Sequence, residues 1–224
     1  MGSKNKLKRF EENETFSNLI QPERETLVKD SFRFKGNWNR DFFKNTHPIV
    51  VELGCGKGEY TVNLAGVYPD KNFIGIDIKG ARIWRGAKTA LTQKLSNVAF
   101  LRTQIELITA VFDKHEVSEL WITFPDPQLK YRRSKHRLIN PEFLRKYRKI
   151  LKRGSSIHLK TDSEFLFGYT LGLLQGEGHE IIYAHHNIYH NEDAPEEATG
   201  IQTFYEQHYL ERGKPITYIK FKLS

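Results

Sequence analysis

The 224-residue sequence predicts an α/β fold: a mostly parallel sheet with an antiparallel edge at its C-terminal end. Three observations predict it. Apolar, β-branched runs recur at "PIVVELG" (48–54), "NFIGIDI" (72–78), "NVAFLRT" (97–103), "SELWITF" (118–124) and "SSIHLKT" (155–161), with helical stretches between them. Strands alternating with helices imply βαβ units and a sheet covered on both faces. A glycine loop joins the first run to the first helical stretch. Finally, "EIIYAHHNIY" (180–189) and "ITYIKFKL" (216–223) read as a closing antiparallel pair, separated by the helix-prone "TGIQTFYEQHYLERG".

Taken in chain order, residues 1–46 read as a basic N-terminal arm followed by a segment around Phe32 to Phe43 that packs on the body, and 47–224 as one domain. "MGSKNKLKRF" is basic but no apolar run follows it, so a flexible arm is expected rather than a secretory signal. Gly2 raises N-myristoylation, but Lys6 stands where that signal wants Ser or Thr. Helices are expected at 58–67, 80–95, 140–152 and 163–176, with Gly154 stopping the third.

A hydrophobic fraction of 38% and an aromatic fraction of 12% fit a folded chain. Lys and Arg number 35 against 27 Asp and Glu, giving a formal charge of +8. That excess suggests an anionic partner, nucleic acid first, though a basic soluble protein without such a partner fits equally well. The single cysteine, Cys55, excludes an internal disulfide and a multi-cysteine zinc site, and suits a reducing cytoplasm. No apolar run reaches the roughly 18 residues of a membrane span.

"VELGCGKGEY" places Gly54, Gly56 and Gly58 between strand and helix. Glycines there let the backbone approach a ligand, and the helix start offers free N–H groups. The dinucleotide fingerprint wants a third glycine where Glu59 stands, so a pyrophosphate is poorly served. Glu52 ends the first strand and Asp77 the second, where an acid can accept both hydroxyls of a ribose. A ribose and a cationic group without phosphate suggest S-adenosylmethionine; the plain alternative is a glycine-rich turn with two incidental acids.

In "WITFPDPQLKYRRSKHR" Asp126 is held between Pro125 and Pro127 at the end of the fourth strand, which suits a group that must orient a reactant. Asp162 ends the fifth strand, so two carboxylates are expected side by side at one sheet edge. Carboxylates match the N1–H and N2–H donors of guanine, not the edge of adenine. Cations run from Lys130 through Arg132, Arg133, Lys135, His136 and Arg137 to Arg145, Lys146, Arg148, Lys149, Lys152 and Arg153, opposed only by Glu142. A solvated charged helix would interleave acids, so RNA contact is favoured. His185, His186 and His190 lack a convincing ligand spacing, and no metal is expected.

These residues resemble the bacterial tRNA (guanine-N7)-methyltransferases. The likeness is carried by "VELGCGKGEY", "YPDKNFIGIDI", "WITFPDPQLKYRRSKHRL", "PEFLRKYRKILKRGSSIHLKTD" and "TFYEQHYLERGKPI", in family order from about residue 48 to the end. The resemblance implies a class I, Rossmann-like methyltransferase domain over 47–224. It implies methyl transfer from S-adenosylmethionine to N7 of a tRNA guanosine, usually position 46 in the variable loop. It implies Glu52, the loop glycines, Asp77, Gln104 and Asp126 at the cofactor, with Gln104 standing where the family commonly has Asp. It implies Lys130, Asp162, Thr203, Phe204, Tyr205 and Glu206 at the substrate, and Arg132, Arg133, Lys135, His136 and Arg137 at the RNA. Catalysis is expected from Asp126 and Asp162, with Glu206 helping to clamp the base edge. Where the family often reads Asn-Phe-Pro-Asp-Pro-Trp-Pro-Lys, this chain has Thr123, Gln128 and Leu129 in place of Asn, Trp and Pro, a change expected to loosen the loop. A monomer or homodimer without an obligatory partner subunit is expected. Three rival readings stay open: a methyltransferase acting on another RNA or guanine atom, a dehydrogenase, and a non-catalytic tRNA-binding protein.

Overall fold

The computed structural model describes residues 3–224, so the question of Gly2 lies outside the described residues. The strands are β1 (Leu19–Ile20), β2 (Ile49–Leu53), β3 (Asn72–Asp77), β4 (Val98–Arg102), β5 (Val117–Thr123), β6 (Leu151–Thr161), β7 (Glu180–His185) and β8 (Thr217–Lys222). The helices are α1 (Ser3–Asn13), α2 (Arg24–Val28), α3 (Glu59–Val67), α4 (Gly80–Thr92), α5 (Ile108–Val111), α6 (Pro141–Ile150), α7 (Glu164–Gly176), α8 (Glu196–Thr199) and α9 (Phe204–Glu211). One sheet orders the strands β1-β4-β3-β2-β5-β6-β8-β7. β1 to β6 pair in parallel, and β8 inserts antiparallel between β6 and β7.

Every residue of β2 is buried, as an apolar central strand covered on both faces requires. One core layer packs Trp38, Phe112, Phe143 and Leu166 against the sheet; the other packs Tyr60, Ile83, Phe100 and Trp121. Trp38 is wholly buried, donates from Nε1 to the Val111 carbonyl at 3.1 Å and stacks on Phe34.

Two expectations need correction. Gly154 does not stop a helix. α6 ends at Ile150, Leu151 is already extended, and Gly154 (φ +77°) lies within β6. The β5–β6 register slips there, from Val117 opposite Leu151 to Glu119 opposite Ser156, and glycine relieves the left-handed backbone of such a bulge. Nor are residues 3–13 a flexible arm. They form α1, which lies along α4: Asn13 Nδ2 donates to the Gly80 carbonyl at 3.1 Å, and Trp84 Nε1 to Glu12 at 2.7 Å. β1 then adds a short parallel strand beside β4, through Leu19 and Ile20 opposite Phe100 and Leu101.

Candidate active site at the carboxyl edge of the sheet

Open α/β sheets bind ligands beyond the carboxyl ends of their strands, where strand order reverses. That point lies at β2: the chain winds outward through β3 and β4, then returns to lay β5 on the other side of β2. The loops after β2, β3 and β5 meet there.

Gly54, Gly56 and Gly58 all have positive φ (74°, 57° and 70°), so each position favours glycine. Their roles divide. A Cβ at Gly58 would lie 2.5 Å from the Phe100 ring, so this glycine serves the packing of α3 on the sheet. Gly54 and Gly56 meet nothing closer than 3.7 and 3.9 Å, and present bare backbone to the space above. The loop is pinned from β3: Gly54 and Cys55 both donate N–H to the Ile76 carbonyl, at 2.8 and 3.0 Å.

Two cavities flank this loop. The first, about 240 Å³, is lined by Gly54, Asp77, Thr103 and Gln104. Asp77 Oδ2 accepts the Gly56 N–H at 3.0 Å and Oδ1 accepts that of Lys79 at 2.8 Å, which fixes the carboxylate and leaves each oxygen a free lone pair. Gln104 Oε1 accepts from Arg24 of α2 at 3.0 Å, so the N-terminal region helps close this end.

The second cavity, about 110 Å³, is lined by Glu52, Gly56, Tyr60, Thr123, Phe124, Thr203 and Tyr205. Glu52 is only 4% exposed. Thr123 donates to its Oε1 at 2.6 Å; the N–H of Thr61, at 2.9 Å, and the Thr61 hydroxyl donate to its Oε2. Burial pushes this carboxyl up to about 7, the hydrogen bonds from Thr123 and Thr61 pull it down, and the charge of Asp77 adds to the rise. A raised acid favours the folded state in its protonated form, so its contribution is present below about 4.5 and is lost as pH rises through about 7. Glu52→Gln is therefore expected to gain on the wild type by on the order of 3 kcal/mol between pH 4.5 and 7.5. Urea unfolding at the two pH values measures the gain, and parallel curves would show that Glu52 does not titrate there.

The loop after β5 turns sharply. Phe124 has φ +48°, a left-handed backbone rare for a bulky residue and held here by its N–H on the Lys160 carbonyl at 2.7 Å. Asp126 follows, exposed, with Oδ1 accepting the Gln128 N–H at 3.1 Å in a turn its own side chain closes. Gln128 is left-handed too, at φ +49°, and its carbonyl accepts two N–H groups of Arg137 at 3.1 and 3.3 Å. The Gln128-Leu129 pair thus sits in a braced turn rather than a loosened one. Asp162, half-buried, directly follows β6 beside β5, and its charge helps raise the Tyr209 hydroxyl, after burial.

Of the cations expected to face RNA, Lys130, Arg132, Arg133, Lys135 and His136 are exposed on a 3₁₀ turn. Arg137 is not with them. It is 6% exposed, bonded to Gln128 and stacked on Tyr169 and Phe165 at 4.4 and 4.9 Å, so it braces the loop from below. Asn140 does related work, capping α6 at the Phe143 N–H while its amide holds the carbonyls of Lys135 and Arg137.

The C-terminal segment does reach the site. Glu59 accepts the Phe204 N–H at 2.8 Å, tying the start of α9 to the glycine loop and setting Thr203 and Tyr205 against the cavity. Glu206, expected at the base edge, lies inside the fold. It is wholly buried, as is Lys160, whose Nζ sits 2.5 Å from Oε1. Tyr189 donates to Oε1 at 2.6 Å and the Thr203 N–H to Oε2 at 3.2 Å. Wholly buried and held through both oxygens, Glu206 fixes α9 in place and presents no oxygen at the surface to a base.

The donor set is thus acid and backbone around a cavity pair, with Lys57 of the loop and Arg82 of α4 as the cations on the second cavity's lining. A family model described as "Putative methyltransferase" matches residues 46–219. A tRNA (guanine-N(7)-)-methyltransferase of Christiangramia forsetii is 70% identical over 224 residues, covering 100% of both chains. The chain belongs to the tRNA (guanine-N(7)-)-methyltransferase family. Further tRNA (guanine-N(7)-)-methyltransferases are those of Porphyromonas gingivalis, 51% identical over 94% of this chain and 86% of its own, and of Bacteroides fragilis, 46% identical over 98% and 86%. Among solved structures, the 16S rRNA methyltransferase KamB matches with a TM-score of 0.62 at 15% identity, over 82% of this chain and 91% of that one. An antibiotic-related methyltransferase gives 0.60 at 14%, over 92% and 96%. These distant likenesses show the fold: the tRNA (guanine-N(7)-)-methyltransferase domain is a class I, Rossmann-like methyltransferase.

Proposed function

We propose that this protein transfers a methyl group from S-adenosylmethionine to N7 of a guanosine in tRNA, at position 46 of the variable loop. The observation that carries the reading is the position of Asp126: an exposed, turn-locked carboxylate two residues past Phe124, which lines the second cavity, and just ahead of a loop of exposed cations. The names of the full-length relatives point the same way.

The residues fit the cofactor. Asp77 offers two acceptors to a ribose, Gln104 an amide to an adenine, and Glu52 a buried carboxyl on the cavity lining, whose ionised form an ammonium or sulfonium beside it would favour. Gly54 and Gly56 let the backbone come close. Bound there, the cofactor supplies an electrophilic methyl on a cationic sulfur. Guanine N7 carries an in-plane lone pair and no proton, so no residue of this chain need act as a general base. Methylation leaves the purine cationic, and carboxylates beside it stabilise that developing charge more than the neutral ground state. Asp126 and Asp162 take that role and accept from the N1–H and N2–H edge; Lys130, Arg132, Arg133, Lys135 and His136 hold the backbone phosphates. Thr203 and Tyr205 cover the cavity from the start of α9, and Phe204 stands beside them toward the substrate. The chemistry requires neither a metal nor a partner subunit, and a cytoplasmic enzyme acting as monomer or homodimer suffices.

Incubation with unmodified tRNA and labelled S-adenosylmethionine, followed by nucleoside mass spectrometry, is expected to yield 7-methylguanosine that disappears when guanosine 46 is replaced. A different methylated nucleoside, or none, would sink this reading in favour of another acceptor.

A further inference from the structure

A second groove, about 610 Å³, opens from the glycine-loop cavity and runs over α4 toward α1. Lys57, Glu59, Arg82 and Tyr205 border both spaces, so groove and cavity are continuous. Beyond that junction the lining is cationic and aromatic: Arg82, Arg85 and Arg9 against Trp84, with Phe204 facing them. Glu59 is the sole carboxylate on the lining, and it is engaged with the Phe204 N–H. Arg82 and Arg85 are exposed, and neither has a carboxylate within ion-pair distance among the described residues. Phe204 and Tyr205 are 60% and 50% exposed, meet edge to face at 5.9 Å, and carry Lys57 Nζ 4.9 Å from the Phe204 ring and 5.2 Å from the Tyr205 ring. Large exposed rings set beside cations are how single-stranded nucleic acid is held: bases stack, phosphates pair.

We propose that this groove binds the tRNA strand next to the target guanosine, a flanking base stacking on Phe204 and Tyr205 while Arg82 and Arg85 pair with its phosphates. The proposal rests on the tRNA reading above. It gives the substrate two supports, one on each side of the site: the 3₁₀ loop after β5 and the α4 groove after β3. A strand gripped at both ends presents its middle base to the cavity between them. The α4 cations escape a search for basic runs because each is isolated in "GARIWRGAK", and only the helix brings Arg82 and Arg85 together, three residues apart on one face.

The test measures tRNA binding across a salt series for wild type, Arg85→Ala and Phe204→Ala, with S-adenosylhomocysteine binding measured alongside. Arg85→Ala is expected to lower the slope of log affinity against log salt by roughly 0.7 to 0.9, one lost phosphate contact. Phe204→Ala is expected to weaken binding about 10-fold with the slope unchanged, one lost stack. S-adenosylhomocysteine affinity should stay at the wild-type value in both. Wild-type affinity and slope in both variants, in a protein that still methylates tRNA, would overturn the groove alone and leave it to a protein partner. A wild type that neither binds nor methylates tRNA would instead remove the reading on which the groove rests.

Discussion

Asp126→Asn is expected to lower turnover about 100-fold, with affinities for tRNA and for S-adenosylhomocysteine within about twofold of wild type. The substitution is informative because the turn survives it. An asparagine Oδ1 accepts the Gln128 N–H as the carboxylate does, and Pro125 and Pro127 still fix the backbone on either side. Only the charge is removed. A loss of about 100-fold in rate corresponds to about 2.7 kcal/mol of transition-state stabilisation, the usual scale for one well-placed electrostatic group. Because the purine becomes cationic only as the bond forms, the loss should fall on kcat rather than on KM. Asp126→Ala removes turn and charge together and should also disturb KM. Single-turnover rates on unmodified tRNA separate these cases, and an unchanged rate for Asp126→Asn would end the proposed role.

What the sequence reveals about this site is what lies close together along the chain. The glycine loop, the acid ending β3 and the Pro-Asp-Pro turn each occupy a few consecutive residues whose backbone demands are local, and they stand where those demands put them. The strands were legible for the same reason: a buried parallel strand is apolar throughout. Charged residues were not. Arg137 looks like its neighbours in a basic run, but its partners lie in a turn nine residues back and on α7, and only the fold brings Tyr169 beneath it. Glu52 lines the cavity at the end of its strand, but its burial cannot be seen in the sequence, because the groups that hold it, Thr61 and Thr123, are ordinary residues on α3 and β5. The bulge at Gly154 was missed because a glycine after a helical pattern fits a helix stop equally well. α1 carries too many charges for an apolar stripe to be seen, so it reads as an arm until Trp84 and Gly80 supply its partners.

The same limit hides the most deeply buried ion pair among the described residues, Lys160 with Glu206. Lys160→Met is expected to destabilise the fold by about 3–5 kcal/mol, because it leaves the Glu206 carboxylate buried without its cation. Lys160 uses all three of its N–H groups, on Glu206 Oε1, on the Ile201 carbonyl at 3.1 Å and on the Tyr189 hydroxyl at 3.3 Å. Burial pulls its pKa down while Glu206 pulls it up, so the charge is sustained by that one carboxylate. Lys160→Met/Glu206→Gln removes both charges and should recover most of the loss, since a buried pair is worth little over neutral groups of similar size. For a domain of this size the single variant should lower Tm by about 10 °C, and the double variant by much less. A single variant within about 1 kcal/mol of wild type, or a double variant no better than the single, would show that the pair is not what holds α9. If Lys160→Met cannot be purified, Glu206→Gln alone carries the comparison. The effect should also reach the site. Glu206 forms a reciprocal cap with Thr203 at the start of α9, and that start lines the cavity. Loosening the pair should therefore weaken tRNA methylation through a raised KM, even under conditions where the double variant remains fully folded.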